Sequence, residues 1–519
     1  MKRYLSTILI MCILLLLLVS CNVPEDTAFS SGGESLTETT SSDTKRETVT
    51  IICGGDDDYI DWKTLDFEGE KLTILAYNSK KLSEEWAQYI FGDENALDTA
   101  LLKRNADVER DLDLDIQIVL VDKIDTLSIG ETIGQTVKND VLNGLCSYDI
   151  VANCGFSGMS PKYRDLWSDL LDKEEFSYFN FDLPCWNNSL WKNCSANGSL
   201  YVCAGDLNIS MFDSAGIIWH NVDLYDEIKG QEDADNIQDL VIRGDWTYDE
   251  LYRWSAYVSH EDDTDSKTYG LWLDTPRTYE VVPYAWDICF VEKDDLGRHA
   301  YRFTDNDKAE NALKMLRELY MADGAVADAM DEDIFANGKT LFKSDVIRRS
   351  ELHSDTINGM SNKHTILPWP KYDQDQNTYL STSTGDFTTV SVVDYRKYDA
   401  DVKGDAVSAY LQYANELSYV DVRGYYLYEV VIGDQLDLDY EVDVKAIAIF
   451  HSAMAGITFD HLAVYAPALD SVMTKVWSDN VIDSDGVSPD IGVGDRFNEN
   501  KAEYEDSLKA LDTWLGIVD

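Results

Sequence analysis

The sequence predicts an α/β protein with a parallel sheet, and three observations carry that expectation. From residue 71 onward, apolar runs of period two alternate with runs of helical period. Hydrophobic residues make up 45% of the chain, enough for a sizeable core. The length of 519 residues corresponds to two or three domains. No internal repeat of fixed period is present.

The N-terminus precedes that body. Lys2 and Arg3 supply a positive start, and an apolar run covers residues 5–19. A membrane span needs ~20 apolar residues, whereas this length suits a signal-peptide core. The run ends Leu18-Val19-Ser20-Cys21. That resembles the bacterial lipobox, which implies cleavage before Cys21 and lipid attachment to its sulfur. An ordinary secretory signal with an incidental cysteine is the alternative. Residues 1–20 are thus expected to be a lipoprotein signal peptide. Residues 22–50 are rich in Ser, Thr, Glu and Asp and too poor in apolar side chains to fold. Residues 21–62 are expected to form a disordered tether. No later stretch is long and apolar enough to span a bilayer. The expected location is the extracytoplasmic face of the cell membrane, with the membrane reached through the N-terminal lipid only.

Within the body, "KLTILAY" (71–77) alternates as a strand. Residues 96–110 repeat apolar side chains at Leu97, Ala100, Leu101 and Val108 and read as a helix. "LDIQIVLV" (114–121) is a second strand, and a helix over roughly 131–143 leads to "YDIVANCG" (148–155), a third. Strand, helix, strand, helix, strand implies a parallel sheet. Ligands in such sheets bind beyond the carboxyl ends of the strands, here at Tyr77-Asn78 and at Asn153-Cys154-Gly155-Phe156. "LYVCAGDLNISMFDSAGIIWHN" (200–221) reads as two β-rich runs around Asp206. "DNDKAENALKMLRELYM" (305–321) is a capped amphipathic helix. "HTILPWP" (364–370) is a strand stopped by prolines, and "GDFTTVSVV" (385–393) is another. The last ~110 residues read mostly as helices.

Charge narrows the partners. Lys and Arg number 43 against 96 Asp and Glu, a formal net charge of -53. Such a surface repels nucleic acid and anionic lipid, and it favours a neutral solute unless a local basic pocket overrides it. Nine cysteines are present. After Cys12 and Cys21 are set aside, Cys53, Cys146, Cys154, Cys185, Cys194, Cys203 and Cys289 remain, an odd number with no C-x-x-C pair. Most sit among apolar or small residues and read as buried thiols. No P-loop, H-E-x-x-H or G-x-S-x-G motif occurs, so no cofactor, catalytic metal or hydrolytic nucleophile is expected. The acidic loop "EDDTDSKTYG" (261–270) invites a calcium reading. As an EF-hand-like loop from Asp263 it has Lys267 where an oxygen ligand belongs and Thr268 where Gly is needed, so a solvated loop is the better account. The sequon-like "NGS" (197–199) carries no weight in a bacterial lipoprotein.

Six further stretches occur in order. They are "DTALLKRNADVE" (98–109), "FDLPCWN" (181–187), "IRGDWTYDEL" (242–251), "KTYGLW" (267–272), "IFANGKTLF" (334–342) and "ILPWPKYDQDQNTY" (366–379). Together they resemble the extracellular solute-binding proteins typified by maltose-binding protein, and within them the large lipoproteins of clostridial-type bacteria. Local physics supports two of these stretches. Thr247 and Glu250 have the spacing of a helix capping box. Asn337-Gly338 is a turn before a strand. The resemblance implies a two-lobe periplasmic-binding-protein-like fold of type II. Each lobe would be a mainly parallel sheet flanked by helices, joined by a hinge near Gly205-Asp206-Leu207 and near 371–382. Residues 63–206 plus 380–420 would form the N-lobe, and 207–379 plus 421–519 the C-lobe.

The chain holds 13 Trp and 30 Tyr. Sugars stack an apolar face on aromatic rings and need polar partners for their hydroxyls. The ligand-binding candidates are therefore Tyr77, Asn153, Phe156, Asp206, Trp286, Asp287, Trp369 and Asp386. Core packing is the competing role for each aromatic, and a cap or turn for each carboxylate. The expected function is a receptor that captures a small solute, a mono- or oligosaccharide, and delivers it to an ABC transporter permease. It would act as a monomer, without catalysis. The alternatives are a surface glycoside hydrolase, which needs two carboxylates at a defined separation, and a sensor or adhesin that keeps the fold without transport.

Overall fold

Five consecutive buried residues, Leu72–Ala76, mark β1 (Glu70–Tyr77) as a strand covered on both faces. In the computed structural model, residues 60–77, 96–122, 124, 126–155, 159–160, 162–229, 236–258, 268–273, 275–294, 298–304, 306–322, 334–347, 360–385, 387–396, 402–459 and 492–517 are described. Cys21, Cys53, Phe156, Asp386 and residues 261–267 of the acidic loop lie outside them.

After β1 come α1 (Ala96–Leu112), β2 (Leu114–Val121), α2 (Ile129–Leu142) and β3 (Ile150–Cys154). α1 buries Leu101, Arg104, Val108 and Leu112 at helical spacing. α2 opens with a capping box between Ser128 and Glu131. β1 pairs in parallel with both β2 and β3, as the alternation predicted. β2 alternates buried and more open residues, the pattern of an edge strand.

Then follow α3 (Asn188–Cys194), β4 (Gly216–Asn221), α4 (Val222–Lys229), α5 (Ile237–Arg243), α6 (Tyr248–Val258), β5 (Tyr269–Leu273), α7 (Thr275–Ala285) and a hairpin of β6 (Val291–Lys293) and β7 (His299–Tyr301). α8 (Asp307–Met321), β8 (Thr340–Val346), β9 (His364–Leu367), β10 (Thr388–Val392), α9 (Gly404–Leu417), α10 (Val444–Ala455), α11 (Val493–Glu499) and α12 (Lys501–Trp514) follow among the described residues. Between α9 and α10, residues 418–423 and 426–435 wind as wider π-type turns.

Two four-stranded sheets result, in the orders β10-β3-β1-β2 and β5-β8-β4-β9. In each, three strands share one direction and one is reversed. The reversed strand is β10 at the edge of the first sheet and β4 inside the second.

Several local expectations change. Of the two β-rich runs expected in 200–221, only β4 is a strand. Residues 200–204 contribute a single bridge, Cys203 to Val390. α6 begins after Thr247 as expected, but the Glu250 carboxylate turns to Arg253 at 2.6 Å. Trp62 ends the stretch assigned to the tether, yet it is buried, stacked on Tyr413, and donates its indole N–H to Glu416 at 2.8 Å. Its ring area is removed from water, which an extended tether could not achieve. Cys185, Cys194 and Cys203 are buried, as the thiol reading expected, but Cys146 and Cys154 are only half-buried and Cys289 is exposed; burial pushes the Cys203 thiol well above the ordinary range.

Candidate functional site at the inter-sheet crossing

Strand direction places the site. β1 and β3 end at Tyr77 and Cys154, and β5, β8 and β9 end at Leu273, Val346 and Leu367. Val346 pairs with Gly216, the first residue of β4, so the second sheet's carboxyl ends face the segment that enters it. Thr388, the first residue of β10, pairs with Cys154, so the first sheet's ends face the segment that returns. Ligands bind beyond such ends. Residues 78–95, 156–158, 274 and 348–359, which follow four of these strands, lie outside the described residues. What is described is the floor.

Three segments make that floor. Residues 203–216 and 381–390 run antiparallel. Cys203 and Val390 exchange backbone hydrogen bonds at 2.9 Å, and Gly216 N donates to Thr382 O at 3.0 Å. Residues 456–459 add a third segment, with Thr458 N donating to Ser381 O at 2.8 Å. Glycine is required at a close approach in the floor. Gly155 has a φ of 51°, and a Cβ there would lie 2.5 Å from Gly385 O.

Asp206 lies in the first crossing segment. Its backbone N–H donates to Cys185 O at 2.9 Å. Its carboxylate accepts from Arg423 Nη1 at 3.2 and 3.4 Å. Burial pushes Asp206 up to about 6, against the pull of Arg423. The Arg423 guanidinium lies 4.9 Å from the Phe212 ring centroid and 5.3 Å from that of Tyr419. Nearby in the chain, Tyr426 OH donates to Asp213 at 3.1 Å. Helices α1 and α9 clamp the same crossing. Arg104 Nη1 donates to Leu207 O at 3.4 Å and to Ser418 Oγ at 3.0 Å, and Leu207 N donates to Asn415 Oδ1 at 2.9 Å. The result is a fixed acceptor beside a fixed cation and two rings.

A cavity of about 350 Å³ also spans the two sheets' elements. Lys192 and Asn193 of α3, Asp287 after α7, and Thr458 and Phe459 of the third crossing line it. Asn193 Nδ2 donates to Phe459 O at 2.6 Å, tying α3 to the floor.

The expected ligand residues separate into groups. Tyr77 is half-buried at the end of β1. Asn153 is buried on β3; its Oδ1 accepts from Cys154 N at 2.8 Å, while Nδ2 has no hydrogen-bond partner among the described residues. Asp206 is in the floor, and Asp287 lines the cavity. Trp286 is fully buried behind Asp287. Its N–H donates to Pro370 O at 3.2 Å, and its ring meets Tyr248 and Tyr372 edge-on. Trp369 is buried too. For these two tryptophans the structure shows the packing role the sequence left open. Phe156 and Asp386 are outside the described residues. Arg423, Tyr419 and Tyr426 were missed. Their only signal was a lone cation among tyrosines, "SYVDVRGYY", in a strongly acidic chain. No group of three or more His, Cys, Asp or Glu side chains that could hold a metal occurs among the described residues.

No family model matches the chain, and no curated protein matches it. Solved structures do. The galacto-N-biose/lacto-N-biose I-binding protein of the ABC transporter from Bifidobacterium longum, in complex with lacto-N-biose, is 12% identical. That match covers 85% of this chain and 97% of the other, with a TM-score of 0.53. The GacH receptor of Streptomyces glaucescens, solved unliganded and with acarbose and an acarbose homolog, is 14% identical. It covers 85% of this chain and 99% of the other, with a TM-score of 0.51. At such identities the likeness is one of fold. The chain has the two-lobe, periplasmic-binding-protein-like α/β fold, with one four-stranded sheet per lobe among the described residues.

Proposed function

We propose that this protein is an extracytoplasmic, lipid-anchored solute receptor. It captures a mono- or oligosaccharide between its lobes and delivers it to an ABC transporter permease. The observation that carries the reading is the crossing itself. The carboxyl ends of both sheets face three shared segments, and Asp206 is held there beside Arg423. A neutral acceptor–cation–ring site suits polyhydroxylated, uncharged solutes. Closure would follow rotation about the crossing segments. The partition into residues 63–206 plus 380–420 and 207–379 plus 421–519 belongs to this proposal, as do lipidation at Cys21 and a monomeric state. Asp206, Asn153 and Tyr77, with Arg423 added, are its first-choice ligand residues. No catalytic residue is assigned.

The test is thermal unfolding of residues 60–519 against a panel of mono- and oligosaccharides, with each hit followed for product. A ligand at 100 times its Kd adds about 2.7 kcal/mol to the folded state, so a rise in Tm with the sugar left intact is expected. Cleavage of the sugar would make the protein a hydrolase. No shift across the panel would remove the carbohydrate assignment.

A further inference from the structure

We infer that the C-terminal helix α12 is a latch between the lobes, separate from the three crossing segments. The helix is held at two places by different lobes. On the second lobe, Asp512 accepts from the backbone N–H of His299 at 3.0 Å and pairs with its Nδ1. Tyr504 meets Phe497 at 5.5 Å, and Phe497 stacks on Phe303 at 4.8 Å. On the first lobe, Trp514 fills a slot. Its ring lies 4.9 Å from Tyr201 and 5.3 Å from the Arg164 guanidinium, and its N–H donates to Asp165 at 3.2 Å.

One residue further, Asn197 Nδ2 donates to Leu515 O at 2.9 Å. Asn197 can do so because Asn197-Gly198 forms a tight turn with φ of 51° and 81°, closed by paired hydrogen bonds between Ala196 and Ser199. The "NGS" stretch thus caps a carbonyl at the end of α12 that the helix itself leaves without a partner. A cavity of about 450 Å³ lies between α12 and the β6–β7 hairpin, and the first-lobe contacts of α12 gather at its end.

Rotation about the crossing segments would move Arg164, Asn197 and Tyr201 relative to His299 and Phe303. A rigid helix cannot follow both sets. Either Trp514 leaves its slot or the rotation stops. Ring contact, cation–π attraction and two hydrogen bonds are each modest, which suits a fastening that opens. The latch rests on the proposed hinge motion, and Trp514 does not touch the crossing segments in any contact described.

The experiment measures distance across the lobes in the full-length chain, with spin labels on noncanonical residues at Asn143 and Glu227. Wild type is compared with Trp514→Ala and Asn197→Asp. The second variant keeps a residue tolerant of left-handed backbone and puts a charged acceptor where the donor faced Leu515 O, so it remains informative where Trp514→Ala fails to fold. Both are expected to broaden the solute-free distance distribution. For any sugar that binds, both should shift the half-saturating concentration by about 5-fold or more, the scale of coupling between remote sites. A distribution unchanged in the variants that fold would overturn the latch. If no sugar binds wild type, the receptor reading fails, while the solute-free distances still decide this one.

Discussion

The two lobes each hold a four-stranded sheet with one strand reversed, yet they hide different chemistry. In the first lobe, buried polar groups are chained together. Glu416 accepts from Trp62 at 2.8 Å and from Gln412 at 3.0 Å, and Gln412 accepts from Trp186 and from the backbone of Asn180. In the second lobe, rings fill the interior. Trp219, Trp246, Trp254, Trp286 and Trp369 are among the largest fully buried side chains. Trp254 meets Tyr225 at 4.9 Å, and His220 stacks on Phe342 at 5.5 Å. The indole N–H groups of Trp219, Trp254 and Trp369 and both His220 nitrogens have no hydrogen-bond partner among the described residues. The first interior leans more on linked side-chain hydrogen bonds, the second more on ring packing. Titration and mutation should therefore act on the two lobes differently.

The largest difference concerns volume. Trp246→Ala removes a fully buried ring that meets Phe342 and donates to Pro368 O. The expected loss is about 3–5 kcal/mol, read as a lower denaturant midpoint. A loss under about 1 kcal/mol would show that the second core is not shape-specified.

The next is pH. Burial pushes Glu416 up to about 7 and Asp206 up to about 6. Their contribution is full below the unfolded values of 4.5 and 3.8 and is lost as pH rises through 6 and 7. Burial pushes His220 down to about 3 and His451 down to about 4, and lowers His364. Their contribution is full above 6.5 and is lost as pH falls toward 4 and 3. Between pH 7 and pH 5 the first lobe should gain protection and the second should lose it, each on the order of 2 kcal/mol. Native-state hydrogen exchange, corrected for intrinsic rates, reads this lobe by lobe. Parallel changes in both lobes would refute it.

The smallest is a single hydrogen bond. Trp62→Phe keeps the ring on Tyr413 and leaves Glu416 Oε2 without its indole donor. About 1–2 kcal/mol should be lost, and more above pH 7 than below, because the ionised carboxylate needs the donor most. Denaturant unfolding at pH 5 and pH 8 gives the comparison, and an equal loss at both would exclude an ionised partner.

Legibility followed the same division. β1, β2, β3 and the helices between them were readable because each is a local period bounded by its own breaks, and β2 matches its expected span of 114–121. The second sheet was readable only in pieces. β4, β8 and β9 are buried along their whole length, so alternation vanishes, and their pairing joins residues more than a hundred positions apart. β5 carried no period of its own and surfaced only through the "KTYGLW" stretch. At the site, Asp206 was legible as a carboxylate near a crossing. Arg423 was not, because its partnership is made by π-type turns, which leave no sequence period. Trp286 and Trp369 could not be sorted from cleft rings by sequence, since a large aromatic in an apolar stretch suits either place.

The interior position of β4 also sets an order in time. The three parallel strands of the first sheet lie within residues 70–154, so they can pair once that stretch has emerged into the compartment where the chain folds. β4 is complete at residue 221, but its two partners begin at residues 340 and 364. Until they arrive, the strand that will become central has no ladder on either side, and six residues destined for burial stand open. Until residues 340–367 join it, the emerging chain carries a provisional sheet at one end and a waiting template at the other.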